Sequence, residues 1–295
     1  MKYAYYPGCS LLGSGAEYAV SGEAVLDAVG VELEEIDDWV CCGATAAHAT
    51  SHLLSLALPA ITCAAAEKQG LDVLTCCAAC YSRLRQVSAD LQEDPDLRAR
   101  VNEIIEEDFQ ATPRVLHITE VLRRDVGVEA IRERVTKPLT GLKVACYYGC
   151  LIARMPEELR IDDAEYPMLM DDLMSAIGAE PVDWPYKTEC CGAALTLARQ
   201  KTVHRLCSEI LKIAKQNEAD VLVVACPLCQ ANLDMYQTEA EKLAGERLSI
   251  PVLYFTQLMA LAMGLDSDKL CLEKLIVDPM PLLAKKGFVV GEAYL

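Results

Sequence analysis

The sequence predicts an α/β protein built from two tandem, pseudo-symmetric Rossmann-like repeats with largely parallel sheets. Three observations support this fold class. A set of five cysteines occurs twice with similar spacing, short apolar segments alternate with longer helical ones, and each cysteine group follows one of the apolar segments. Alternating strands and helices are typical of parallel sheets, which bind ligands at the carboxyl ends of their strands. The 295 residues are enough for two such units.

Ten of the 15 cysteines form the two sets. In the first half a cysteine precedes a Cys-Cys-Gly motif by 32 positions, and in the second half by 40. In both halves the Cys-x-x-Cys motif begins 35 positions after the Cys-Cys pair. The first set is Cys9, Cys41, Cys42, Cys77 and Cys80, and the second set is Cys150, Cys190, Cys191, Cys226 and Cys229. Convergent thiolates are what a soft metal centre requires, so we predict that each set binds metal.

The first repeat, predicted at residues 1–138, opens with a strand that Pro7 and Gly8 end. Ser14 is a plausible N-cap for its first long helix, and Pro95 suits the start of a charged amphipathic one. The predicted strands are 2–6, 31–36, 72–75 and 115–118, and the predicted helices are 14–29, 46–69, 80–91, 95–109 and 119–124.

The pattern restarts after residues 138–141, Pro-Leu-Thr-Gly, which form the best candidate linker. The second repeat and a tail therefore take residues 139–295. Its predicted strands are 143–147, 180–183, 221–225 and 252–255, and its predicted helices are 167–177, 195–216, one starting at 227, and 256–263. Residues 114–120 also align with 251–257 at an offset of 137 rather than 149, so the first repeat carries about 12 extra residues after its Cys-x-x-Cys motif.

The composition narrows the function classes. The formal net charge is −17 and the sequence pI about 4.7, which argues against nucleic acid and anionic membranes as partners. The N-terminus has no apolar signal region, and no run approaches the roughly 18 to 20 apolar residues of a membrane span. We therefore predict a cytoplasmic protein, in which thiols stay reduced and clustered cysteines indicate metal or redox chemistry.

Five thiols per set is one more than a cubane cluster or a structural zinc ion uses. Because the side chains of adjacent residues diverge, Cys41 and Cys42 are poorly placed to bind one metal atom, and we infer an extended centre with several irons. Three alternatives stay open: a disulfide scaffold, structural zinc, and a thioredoxin-like dithiol at either Cys-x-x-Cys motif. The paired cysteines and the reducing compartment favour iron and sulfur.

The remaining candidate residues carry weaker signals. We predict structural roles for five further cysteines, with Cys76 as the alternative to Cys77 if the register were shifted: Cys63, Cys76, Cys146, Cys207 and Cys271. His48 and His52 lie four apart on one predicted helix face and we favour ordinary helix residues, keeping His48 as a candidate proton donor. The Gly13-Ser14-Gly15 segment lacks a third glycine, so we predict no flavin or nicotinamide site in this chain.

The two copies of Cys…Cys-Cys-Gly…Cys-x-x-Cys resemble the CCG domains of the heterodisulfide reductase B subunit. The resemblance covers nearly the whole chain, including residues 278–283, Asp-Pro-Met-Pro-Leu-Leu, in the tail. It implies that each set holds a noncubane [4Fe-4S] cluster on its five cysteines. It further implies that the clusters face each other across the mixed disulfide of coenzyme M and coenzyme B, an arrangement that suits reduction in two one-electron steps. The iron–sulfur C subunit of such a complex, together with its flavin-bearing A subunit, would supply the electrons.

One departure from the family pattern bears on the substrate. Residues 43–46, Gly-Ala-Thr-Ala, stand where the methanogen enzymes are expected to have a proline-containing stretch. The prediction of the clusters does not depend on this difference. The methanogen disulfide is not specified as the substrate, however, and an analogous thiol substrate is equally consistent with the sequence. The alternative function is a non-catalytic electron-transfer subunit of a bifurcating or other oxidoreductase complex. A cavity between the clusters with room for a disulfide would favour the enzyme.

Overall fold

The computed structural model describes residues 1–44 and 46–288 as two similar α/β halves, which confirms the predicted fold class. Each half contains a four-stranded, all-parallel sheet, with strand orders β2-β1-β3-β4 and β6-β5-β7-β8. The strands are β1 Lys2–Tyr5, β2 Glu32–Glu35, β3 Val73–Thr75, β4 Val115–His117, β5 Lys143–Tyr147, β6 Glu180–Pro181, β7 Val221–Val224 and β8 Val252–Tyr254.

Helices connect these strands in both halves. In the first half they are α1 Gly8–Leu11, α2 Ala16–Ala28, α3 Ala46–Thr50, α4 His52–Gln69, α5 Ala78–Glu93, α6 Pro95–Ile105, α7 Ile118–Glu120, a π-helical segment Val121–Gly127 and α8 Val128–Arg134. In the second half they are α9 Gly149–Ala153, α10 Leu169–Ala176, α11 Gln200–Gln216, α12 Pro227–Met235, α13 Gln237–Ala244, α14 Phe255–Met263, α15 Ser267–Leu270 and α16 Met280–Lys285. Short 3₁₀ turns occupy Glu157–Leu159, Ala193–Leu195 and Leu272–Lys274.

The strand order fixes where each site lies. In each sheet the chain runs from the first strand to the second on one side and then crosses back to the third strand on the other side. Such a switch point opens a crevice at the carboxyl ends of the strands, where ligands bind in doubly wound folds. Cys9 follows β1 and Cys77 follows β3, and Cys150 and Cys226 follow the equivalent strands β5 and β7. Both cysteine sets therefore lie at switch points.

The segment 46–69, predicted as one helix, forms two helices in the structure. The prediction that His48 and His52 share one helix face is therefore wrong. Ser51 adopts an extended conformation (φ −160°, ψ 135°), and its hydroxyl accepts a hydrogen bond from the N–H of Leu54 at the start of α4. Serine competes with the helix through this kind of capping, so α3 ends before it. His48 lies on α3 and His52 begins α4.

Other boundaries differ for local reasons. The helix predicted from Ser14 begins at Ala16 with Gly15 as its N-cap residue. The helix predicted from residue 195 begins only at Gln200, because Arg199 is not helical (φ −142°). The short helix predicted at 119–124 is α7 followed by the π-helical segment, and the non-helical Gly127 (φ 88°, ψ 149°) separates that segment from α8.

The two halves pack reciprocally around the cysteine sets. Helix α5 of the first half packs on α9, and α12 of the second half packs on α1. Helix α2 packs on α14, where the hydroxyl oxygens of Ser21 and Thr256 lie 2.7 Å apart. The domain boundary at 138/139 falls between β4 and β5 and stays a prediction, and residues 289–295 of the tail lie outside the described residues. In the part of the chain described here, no helix combines the length and the apolar character needed to cross a membrane.

Candidate metal centre

The first set forms two close thiol pairs. The sulfur atoms of Cys9 and Cys41 lie 3.7 Å apart, and those of Cys42 and Cys80 lie 3.5 Å apart. All are free thiols. Cys9 and Cys41 are exposed, whereas Cys42, Cys77 and Cys80 are buried. The set therefore has an outer pair at the surface and an inner group inside the protein.

The second set repeats this arrangement. The sulfur atoms of Cys150 and Cys190 lie 3.9 Å apart, and those of Cys191 and Cys229 lie 3.4 Å apart. Cys190 is exposed and Cys150 half-buried, while the other three thiols are buried. The Gly192 N–H donates to the Cys190 sulfur at 3.3 Å. The matched spacing in sequence thus corresponds to matched placement in space.

The two inner groups meet where the halves join. Cys77 and Cys226 are the N-cap residues of α5 and α12, the helices that pack against the opposite half. Interaction with Cys226 raises the pKa of Cys77 well above its ordinary value, whereas interactions with Cys229 and then Cys77 lower that of Cys226. The inner ends of the two sets therefore act on each other electrostatically.

One thiol of each set's close pairs, Cys42 in the first set and Cys190 in the second, is prepared to ionise. The hydrogen bond with Cys80 lowers the pKa of Cys42 to about 7, with help from the positive charge of Arg83. The hydrogen bond from Cys150 likewise lowers the pKa of Cys190 to about 6. Because the thiolate is the form that binds metal, these shifts favour ligation at neutral pH.

A glycine in each half permits the close approach of the loop that carries the outer thiol. Gly8 and Gly149 have positive φ values of +65° and +67°. A Cβ atom at Gly8 would stand 3.0 Å from the Cys80 sulfur, and one at Gly149 would stand 3.2 Å from the Cys229 sulfur. Glycine adopts this conformation without strain and leaves space for sulfur.

A cavity of about 350 Å³ lies against the second set and is lined by all five of its thiols. The first half contributes Ala44, Ala78, Ala79 and Arg83 to its wall, and the remaining wall is largely alanine and leucine. Since a water molecule takes up roughly 30 Å³ of liquid, the space exceeds what one metal ion needs. Within residues 1–44 and 46–288, no group of three or more His, Cys, Asp or Glu side chains is arranged around a single ion. Five thiols around such a space fit a sulfur-ligated group of several atoms.

His48 and Arg83 form a pair at the edge of the first set. The Arg83 guanidinium contacts the Nε2 atom of His48, which must accept because a guanidinium only donates. Burial and the charge of Arg83 lower the pKa of His48. The ring is therefore neutral at pH 7, and its role as proton donor stays a prediction. Arg83 was not predicted as a site residue, although its position three residues after Cys80 places it on the same helix face.

A buried ion pair in the second half was also missed. The Lys187 ammonium donates to the Asp171 carboxylate at 2.8 Å, and their side chains are 1% and 4% exposed. The Tyr148 hydroxyl donates to the same carboxylate at 2.7 Å. The backbone N–H groups of Tyr148 and Gly149 donate to the Lys187 carbonyl. This network ties the loop of Cys150 to the segment before Cys190, and no sequence pattern signalled it.

The five cysteines predicted to be structural are buried. Burial raises the pKa of Cys63 to about 12, which keeps this thiol protonated. The Cys207 sulfur lies 3.5 Å from the Asn232 carbonyl oxygen, next to the second set. Their structural role stays a prediction that substitution can test.

The fold and the site together define a two-repeat α/β protein with a cysteine-rich centre at the switch point of each sheet. The family described as cysteine-rich domain (CCG) matches residues 3–85 and 144–234. The chain therefore belongs to the CCG cysteine-rich family, whose relatives include the heterodisulfide reductase B subunit, as the sequence predicted.

Several relatives span most of the chain. The 8-methylmenaquinol:fumarate reductase membrane anchor subunit of Wolinella succinogenes is 33% identical over 95% of this chain and 99% of its own length. The B subunit of the ferredoxin/F(420)H(2)-dependent CoB-CoM heterodisulfide reductase of Methanosarcina acetivorans is 34% identical over 78% of each chain. A protein of Archaeoglobus profundus described as like the heterodisulfide reductase B subunit is 30% identical over 91% of this chain and 93% of its own.

One solved structure shares the fold. A hypothetical protein from Helicobacter pylori superposes with a TM-score of 0.73 at 14% identity over 94% of this chain. The chain spans about half of that protein, 52% of its length. This likeness concerns the fold alone.

Proposed function

We propose that this chain is the B subunit of a heterodisulfide reductase-like complex and reduces a disulfide in two one-electron steps. The observation that carries the proposal is the reciprocal packing of the two halves, which places helices α5 and α12, with Cys77 and Cys226 as their N-cap residues, against the other half. Two redox centres that adjoin in this way suit a reaction that takes two electrons for one bond. The substrate is the coenzyme M–coenzyme B disulfide of the relatives or an analogous disulfide.

The ten cysteines of the two sets are the proposed ligands of two noncubane [4Fe-4S] clusters, five for each. The lowered pKa values of Cys42 and Cys190 and the cavity bordered by the second set support this assignment. When bound, the clusters would supply electrons one at a time.

The chain's own side chains shape the place where the disulfide would bind. The wall of the cavity is largely alanine and leucine, and Arg83 contributes a positive charge to it. Reduction of one S–S bond consumes two electrons and two protons and yields two thiols. The electrons must come from elsewhere, so we propose two partner proteins in the cytoplasm, the iron–sulfur C subunit of the same complex together with its flavin-bearing A subunit.

The proposal is tested on the anaerobically purified complex. We expect about eight irons and matching sulfide per chain. Cys41→Ala and Cys190→Ala should each abolish most disulfide-dependent oxidation of a reduced viologen dye while retaining one cluster by iron analysis. The double variant should be hardly less active than either single one, because groups that act as a unit are non-additive.

The spare cysteines provide the matched control. Cys63→Ala, Cys207→Ala and Cys271→Ala should leave the iron content unchanged. Stoichiometric zinc with negligible iron would contradict the cluster assignment. Near-normal turnover by either single variant would contradict the joint action of the two centres, since one centre would then suffice.

A second candidate function is a non-catalytic relay. It is favoured by the 33% identity to a relative named as the membrane anchor subunit of a quinol:fumarate reductase. Under this alternative the complex would pass electrons from its donor to a partner protein, and no disulfide would accelerate oxidation of the viologen. Disulfide-dependent turnover that Cys41→Ala abolishes would decide for the enzyme.

A further inference from the structure

Two tyrosines stack face to face where the halves meet. Tyr18 on α2 and Tyr254 at the end of β8 have ring centroids 4.2 Å apart and an interplanar angle of 8°. Both side chains are fully buried, at 0% exposure. Each half contributes one ring, so the pair belongs to the same interface as the inner thiols.

Both hydroxyl groups lack a hydrogen-bond partner among the residues that the structure describes. Native proteins satisfy nearly all buried hydroxyls, and an exception calls for an explanation such as a redox role or a bound group. The Tyr254 hydroxyl lies 3.1 Å from the position that a Cβ atom on Gly15 would take, beside Pro227 of α12. The absence of a side chain at Gly15 therefore leaves space for this hydroxyl next to the helix that carries Cys229.

The inner thiols are the charged groups that both hydroxyls share as neighbours. Burial is the largest cause that raises the pKa of Tyr18 and Tyr254; the charge of Cys76 comes next for Tyr18, and the charges of Cys77 and Cys226 add to it in both cases. The carboxylate of Glu17 also raises the pKa of Tyr254. No hydrogen bond joins Glu17 to Tyr254 within the described residues, so the hydroxyl proton stays available for sulfur.

We propose that Tyr18 and Tyr254 donate hydrogen bonds to the sulfur of the bound centres at the Cys77–Cys226 junction and raise their reduction potential. The inference rests on the proposed clusters. Reduction adds negative charge to a centre, and a donor held against its sulfur stabilises that charge. Because the two rings stack, each limits the motion of the other and keeps both donors in place.

Phenylalanine at either position removes the donor and keeps the ring. In redox titrations of the iron-loaded protein followed by electron paramagnetic resonance, Tyr18→Phe and Tyr254→Phe should each lower a midpoint potential by about 59 mV or more. That shift equals a tenfold change in the ratio of reduced to oxidised centre. The centre on Cys226 and Cys229 should respond most to Tyr254→Phe, because both thiols act on this hydroxyl.

Tyr81 offers a matched control. Its hydroxyl is also buried and without a partner among the described residues, but the charges that act on it are those of Arg85, Glu120 and Arg124 rather than of thiols. Tyr81→Phe should leave both potentials unchanged. Equal shifts in all three variants would overturn the proposal, as would potentials that stay constant in Tyr18→Phe and Tyr254→Phe.

If Tyr254→Phe loses its iron, no reduction potential can be measured on it, and a second variant provides the test. Replacing Tyr254 by 3-fluorotyrosine keeps the ring and makes the hydroxyl a stronger donor, so the potential should rise rather than fall. An unchanged or lower potential in this variant would overturn the proposal. Wild-type protein without iron would refute the proposed function itself, whereas iron-loaded protein with unmoved potentials would refute only this inference.

Discussion

The two halves place the same thiols in different surroundings. Three residues after the last cysteine of each set, the first half has Arg83 and the second half has Asn232. The Arg83 charge lowers the pKa of Cys42, whereas the Asn232 side chain is neutral and donates to the Cys191 carbonyl at 3.2 Å. The repeat has thus kept its candidate ligands and changed the charges beside them, so the two sites are not electrically equivalent.

The loops before the Cys-Cys pairs differ as well. In both halves a tyrosine hydroxyl holds the residue before the pair: Tyr6 donates to the Val40 carbonyl at 2.9 Å, and Tyr147 donates to the Glu189 carbonyl at 2.6 Å. Only the second half adds the buried Lys187 ion pair, since the equivalent position in the first half is the exposed Asp38. The second loop is therefore held more firmly in its place.

The largest expected effect comes from breaking this ion pair. Lys187→Met leaves Asp171 buried without its cation, which should cost about 3–5 kcal/mol of unfolding free energy. Because the network holds the loop of Cys150, we also expect loss of the second centre, with iron falling toward half. Anaerobic urea unfolding and iron analysis measure both effects.

Two variants sharpen this test. Lys201→Met, at an exposed position on α11, should change neither quantity. Combining Lys187→Met with Asp171→Leu should recover part of the stability, because an apolar pair replaces the isolated charge. If Lys187→Met behaved like the Lys201 control, the ion pair would not be what stabilises the second loop.

A smaller effect concerns how stability depends on pH, and it comes from a difference between β4 and β8, the last strands of the two sheets. His117 at the end of β4 aligns with Tyr254 at the end of β8. Its Nε2–H donates to the Cys76 carbonyl at 2.9 Å, and its Nδ1 accepts from the Thr119 N–H, which fixes the neutral tautomer. Burial lowers the pKa of His117 to about 4. In the first half, protein atoms therefore satisfy both ring nitrogens of the aromatic side chain at this position.

The lowered pKa predicts acid sensitivity. The unfolded chain binds a proton at His117 below about pH 6.5, whereas the folded protein binds it only below about pH 4. Stability should therefore fall by up to about 3 kcal/mol as the pH drops through this window. The loss should be smaller in His117→Asn and unchanged in His52→Asn, an exposed control. Identical pH profiles in all three proteins would contradict the prediction.

The smallest effect tests the electrostatic difference directly. Arg83→Asn gives the first half the residue of the second, so the potential of the first centre should fall by about 59 mV, or about 1.4 kcal/mol for one electron. Redox titration of the iron-loaded complex measures it. Arg132→Asn, on α8 and paired with Glu129, removes the same charge elsewhere. A shift of equal size in that control would show that net charge alone is responsible.

The sequence predicted the fold and the candidate ligands because these are repeated. Strand–helix alternation predicted the eight parallel strands, and the duplicated spacing placed both sets together at the ends of those strands. Helix ends were less accurate, since Ser51 and Arg199 depart from helical geometry for local reasons that periodicity does not reveal.

The features that distinguish the halves could not be predicted. Lys187 and Asp171 lie 16 residues apart in sequence and pair only after α10 folds back on the sheet. Tyr18 and Tyr254 come from opposite ends of the chain and stack only once the halves have packed. Such contacts depend on tertiary structure and occur once, so they leave no periodic or repeated signal.

Each cysteine set has an exposed end and a buried end, so chemical modification should begin at the exposed thiols. Cys41 and Cys190 meet solvent, whereas Cys77 and Cys226 are sealed between the halves. Oxidants and alkylating reagents therefore reach the outer thiols while the inner ones are protected for as long as the halves stay closed. In a chain modified at the outer thiols, the inner thiols between the two centres remain intact. They become reactive only when the interface between the halves opens.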